Sequence, residues 1–157
     1  MATPRLKTLD RAVQTTNAWL NEISHGLAVD RPTAWHALGA VLHTLRDRLN
    51  VDEARHLGAQ LPLIIRGLFF DQWGPAHRLS RIKSGDQFID RVQDRLKSDR
   101  VDPDEATAVV FGVLMRHPTG EIQKLMKTLP PSLRKLGQTN PKSSSQKTSS
   151  ESPFAWE

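Results

Sequence analysis

Histidines, arginines and a few aromatic side chains are the groups in this sequence that could do chemistry. The chain has no cysteine, which removes disulfides, thiolate zinc sites and a thiol nucleophile. Metal binding would fall to carboxylates and to His25, His36, His43, His56, His77 and His117. His36 and His43 lie two turns apart on one helical face, too far to share an ion unaided, and no pair has the His-x-x-x-His spacing of a helical metal site. Gly58, Gly67, Gly74 and Gly85 are scattered with no strand before them, so no phosphate loop is present. Ser84 reads as a helix cap rather than a nucleophile. These readings imply no metal, no cofactor and no catalytic residues, hence a protein that is not an enzyme.

Three sets of residues remain. Arg66 and Arg134 stand in otherwise apolar segments at equivalent places of an internal repeat, and so do Glu53 and Glu121. Pairing each arginine with its carboxylate would fix helix order, whereas two arginines meeting near a symmetry axis would make an anion site. Trp73 precedes a stretch holding His77, Arg78, Arg81 and Lys83. An aromatic beside basic side chains can bind phosphate backbones and stacked bases, although a tryptophan directly after an apolar helix can also simply close a core. Finally, Phe154 and Trp156 end a Ser-rich segment that has no other large apolar side chain. Aromatics on such a tether have the makings of interface anchors, with Pro153 limiting the entropy lost on docking. A protein-interaction module with a protein partner is the primary expectation, and nucleic-acid binding through residues 74–83 is the alternative.

The composition narrows these choices. In 157 residues, 38% apolar content suffices for a packed core if the pattern concentrates it. No stretch approaches the roughly 18 apolar residues of a membrane span, and Met1 to Leu6 lacks the apolar run of a secretory signal, so the cytoplasm is the expected compartment. A net charge of +5 on 22 basic and 17 acidic side chains is modest. Signs are intermixed, as in Asp90, Arg91, Asp94 and Arg95, which describes a solvated helix face better than a dedicated nucleic-acid surface.

The elements that position these residues are helical. Trp19, Leu20, Ile23 and Leu27 recur at helical spacing, as do Leu38, Val41, Leu42, Leu45 and Leu49 after a start marked by Asp30 and Pro32. A third helix follows Asp52 to Leu61, and Pro62 ends it and opens a fourth with Ile64, Ile65, Leu68 and Phe69 on its apolar face. Ser84 with Gln87, and Asp102 with Pro103 and Glu105, mark two further starts. Ile122 to Leu129 and Pro130 to Leu136 complete the series.

The series is one pattern twice. Trp19, Leu20, Ile23 and Leu27 return at a constant offset as Phe88, Ile89, Val92 and Leu96, and Asp30, Ala34, Leu38, Val41 and Leu42 return as Asp102, Ala106, Val110, Val113 and Leu114. Glu53, Leu57, Leu61, Pro62, Ile65, Arg66 and Leu68 return as Glu121, Leu125, Leu129, Pro130, Leu133, Arg134 and Leu136, the offset having shortened by about one helical turn. The fold class expected is therefore all-α: a helical bundle of two similar multi-helix repeats related by a pseudo-two-fold axis, packed around one core, with two separate bundles joined by the linker as the alternative. Its parts are an N-terminal arm (1–14), a helical domain (15–137) made of repeat one (15–73), linker (74–83) and repeat two (84–137), and a disordered Ser-rich tail (138–157) closing on the aromatic segment.

The stretches Thr15–Leu20, Ala40–Leu49, Ala59–Pro62 and Arg66–Trp73 resemble the prokaryotic domain-of-unknown-function family 2267, over roughly Thr15 to Leu136. The resemblance implies an all-helical fold in a bacterial cytoplasmic protein. It implies no activity and supplies no catalytic residues.

Overall fold

In the computed structural model, residues 5–74, 82, 84–97, 100–117, 120–127, 129 and 131–136 are described, and all their regular structure is helical. The elements are α1 (Lys7–Leu27), α2 (Arg31–Arg48), α3 (Val51–Gln60), α4 (Leu63–Phe70), α5 (Gly85–Leu96), α6 (Pro103–Arg116), α7 (Gly120–Lys127) and α8 (Pro131–Leu136).

Local chemistry sets most of the starts. The Asp30 carboxylate accepts from the Thr33 N–H at 2.9 Å to cap α2, Ser84 Oγ accepts from the Gln87 N–H to cap α5, and Asp102 accepts from the Asp104 N–H to cap α6. Helix α3 is capped by Asn50, whose side chain accepts from the Glu53 N–H at 2.8 Å, two residues before the Asp52 start read from the sequence. Helix α1 has no side-chain cap at Leu6 and begins at Lys7, so residues 7–14 of the expected arm are helical.

Helices α2 and α6 form the centre and pack on each other. Each is buried on nearly every side, with small residues such as Ala34, Ala37 and Ala40 in α2 and Ala106 and Ala108 in α6 permitting close neighbours. Their buried hydroxyls are satisfied within the helix: Thr44 donates to the Ala40 carbonyl and Thr107 to the Pro103 carbonyl, each at 2.8 Å. Around this centre α1 packs on α2, α4 and α6, α5 packs on α2, α6 and α8, and α3 meets α7. A single apolar cluster runs from Trp19 and Ile23 through Leu42 and Phe69 to Phe88 and Phe111. Residues 15–73 and 84–137 thus contribute side chains to one core.

Candidate functional site

Every helix ends in up to four backbone carbonyls without an intrahelical partner. At the end of α4, α2 supplies the donors. His43 Nε2 donates to the Leu68 carbonyl at 2.7 Å, and Arg46 Nη1 donates to the carbonyls of Phe69 and Asp71, both at 2.8 Å. Arg46 is buried, and its nearest carboxylate is Asp47, at 3.6 Å from Nε. Asp47 also binds Arg95, which ties α2 to α5. Burial holds the His43 imidazole below its ordinary pKa, against a smaller opposing effect of the Leu68 hydrogen bond.

The end of α3 is satisfied in the same way, and this corrects the ion pair expected between Arg66 and Glu53. Arg66 Nε donates to the Gly58 carbonyl at 3.0 Å, and Nη2 donates to the carbonyls of Ala59 and Leu61 at 3.2 and 3.1 Å. Glu53 accepts instead from the Asn50 side chain. The Arg66 guanidinium is thereby committed to its own helix pair. Arg134 is exposed on α8, which packs on α5 and α6. The side chain of Glu121 lies outside the described residues.

Trp73 is half-buried, its ring 5.5 Å from that of Phe70 and packed against the core. This is the core-closing alternative for that residue. Arg78, Arg81, Lys83, Phe154 and Trp156 lie outside the described residues, so the basic stretch and the aromatic tail have no geometry to add. Among the described residues, no group of three or more His, Asp or Glu side chains is placed to hold a metal ion.

At the other end of the bundle, α1 and α6 are joined by Glu22, whose carboxylate takes His117 Nε2 at 2.6 Å and Arg116 Nη2 at 3.0 Å, while the His117 ring stacks on Trp19. Partial burial would raise the Glu22 pKa, but the hydrogen bonds from His117 and Arg116 hold it below the usual carboxylate value.

Beside these contacts, an apolar stretch at the N-terminal end of α1 is left exposed by the described residues. The face of α1 that buries Thr16, Leu20 and Ile23 continues toward the N-terminus as Val13 and Leu9, at the same helical spacing, and the extended N-cap residue Leu6 precedes them. Those three side chains are 51%, 57% and 60% exposed. On another side of this overhang, Lys7, Arg11, Thr15, Pro62 and Leu63 border a shallow cleft of about 350 Å³ between α1 and α4, and Leu63 is itself half exposed. The spacing of Leu6, Leu9 and Val13 is visible in the sequence. What the sequence does not show is that, among the described residues, no neighbouring helix covers them.

Eight short helices, two of them enclosed by the rest, with an open apolar stripe and no metal cluster among the described residues, define an all-helical protein. The sequence matches the family described as "Uncharacterized conserved protein (DUF2267)" over residues 16–136. The chain belongs to that family. A comparison with curated proteins gave no match.

Proposed function

We propose that this protein is a non-enzymatic, cytoplasmic protein-interaction module whose helical body presents the α1 stripe to a partner protein. The observation that carries the reading is the continuation of a core face into solvent: Leu6, Leu9 and Val13 are three adjacent large apolar side chains, each more than half exposed. An isolated exposed leucine is ordinary, but a row of them on one helix is the pattern of an uncovered binding face. The tail with Phe154 and Trp156 is proposed as a second anchor for the partner, with the Ser-rich segment setting its reach. The cytoplasmic assignment is supported by the absence of cysteine and by the lack, among the described residues, of a helix long and apolar enough to cross a membrane.

Two similar four-helix units supply the frame in this reading. Exchanging α1 with α5, α2 with α6, α3 with α7 and α4 with α8 maps the α1–α6 contact onto α2–α5, and α2–α4 onto α6–α8. The α2–α6 and α3–α7 contacts map onto themselves. These pairings support the pseudo-two-fold relation.

Capture from native lysate tests the function, using as baits the full chain, a chain ending at Gly137 and a Leu9→Glu, Val13→Glu variant that circular dichroism shows to be folded. The full chain is expected to retain a partner that the stripe variant loses and the shortened chain holds more weakly. Identical capture by all three baits would contradict the proposal.

A further inference from the structure

A second surface, separate from the α1 stripe, is built from the outer side of α2 and the ends of α4 and α5. Trp35, His36, Gly39 and His43 on α2, Leu68, Asp71 and Gln72 at the end of α4, and Arg95 and Lys97 at the end of α5 line a groove of about 410 Å³. His36 and Lys97 also line an adjoining cleft of about 360 Å³ with Pro32, Thr33, Leu96 and Val101, so the two hollows form one trough along α2. This is the size range of sites for small organic ligands.

The backbone marks the groove as well. Among the described residues, three that are not glycine have positive φ, and two of them, Gln72 (φ 60°) and Lys97 (φ 49°), line this groove. Lys97 is the C-cap of α5. The left-handed conformation at a helix end is the one glycine adopts without strain. Lysine there carries a strain that glycine would relieve, and it lines both hollows.

The groups around the trough define what it would hold. Arg95 and Lys97 supply two cations against the carboxylate of Asp71, with the Arg95 charge also engaged by Asp47. His36 is exposed and adds a donor beside Lys97. His43 uses Nε2–H on the Leu68 carbonyl, which leaves Nδ1 of the neutral ring as an acceptor. Trp35 is half-buried and contributes its indole to the wall. The Lys97 ammonium with the His36 ring as a hydrogen-bond donor, and an aromatic surface beside them, matches an anion attached to a flat ring.

We propose that the trough between α2 and the ends of α4 and α5 binds a small phosphorylated ligand carrying an aromatic ring, with the phosphate at Lys97 and His36 and the ring against Trp35. Adenosine monophosphate is a suitable probe, titrated into the ¹⁵N-labelled full chain and followed by amide and indole shifts, with adenosine and inorganic phosphate as separate arms. The expected result is saturable binding that moves the Trp35 indole and the amides of His36, His43 and Lys97, with each separate arm at least about tenfold weaker. Lys97→Gly removes the ammonium while relieving the left-handed strain, so it should bind about tenfold more weakly and melt no lower than the native chain. His36→Ala, on an exposed position, should weaken binding without changing the circular dichroism spectrum. Absence of saturable shifts, shifts centred elsewhere, phosphate alone binding as well as the nucleotide, or Lys97→Gly binding as tightly as the native chain would each overturn the proposal.

Discussion

Arg46, buried beside Asp47, and the half-buried Arg66 show how a charged side chain on a helix can be held by backbone carbonyls. Both guanidiniums donate to carbonyls that a neighbouring helix leaves open at its end. Their contribution comes from hydrogen bonds that must be made somewhere, since an open buried carbonyl costs about 1–3 kcal/mol. It follows that Arg66→Ala should destabilise the protein by about 1–2 kcal/mol in urea unfolding, discounted because part of the side chain is in water, whereas Glu53→Gln should change stability by less than about 0.5 kcal/mol. Equal losses in the two variants would restore the ion pair. Arg66 was legible as a repeated polar residue, but its partner was not, because carbonyl acceptors have no letter in a sequence. Arg46 was passed over in the sequence, although it lies beside the stripe of Leu38, Leu42, Leu45 and Leu49, because a charge there reads as the rim of the apolar face until the fold buries it. His43 adds a pH dependence. Its folded-state pKa lies below the ordinary 6.5, so the unfolded chain takes up the proton first as the pH falls. Stability should be intact above about pH 7 and decline below about pH 6.5, continuing down to the folded pKa. Melting temperatures between about pH 7.5 and about pH 5.5 should show this decline, and His43→Gln should flatten it.

Among the elements, α3 and α4 depend on a glycine for their approach. A Cβ at Gly58 would lie 2.3 Å from ring carbons of Phe70, and that ring is held between Phe69 and Trp73 at centroid distances of 5.0 and 5.5 Å. Alanine in the middle of a helix normally stabilises by roughly 0.5–1 kcal/mol, but here overpacking at about 1–3 kcal/mol should prevail. Gly58→Ala is expected to lower stability in denaturant unfolding, and an increase would show that Phe70 moves aside freely. Helix starts were readable where one side chain stood out as the cap, as at Asp30, Ser84 and Asp102. The start of α3 was displaced because Asn50 and Asp52 are both good caps and only the fold selects between them. The start of α1 was missed because Leu6 offers no side-chain cap and the first turns have no core beside them. The same lack of a neighbour makes that segment the candidate interface. Residue types alone did not assemble the α2 trough either, since His43, Leu68 and Arg95, which line it, are each more than 20 residues apart in sequence.

At the scale of the whole molecule, short helices are stable because each covers another, across the two halves as well as within them. Phe88 meets Phe111 at 5.6 Å within the second half, Trp19 stacks on His117 across the halves, and both contacts border the one apolar cluster. Neither four-helix unit would keep its central helix covered if the other were removed. The α1 stripe and the α2 trough are both presented by this shared body, so the account stands on the halves being inseparable. Cutting the chain between Gly74 and Ser84, at a protease site introduced into that stretch, tests this directly when followed by gel filtration and thermal unfolding. The cut fragments should co-elute and unfold together in a single transition. Fragments that separate and remain folded on their own would contradict it.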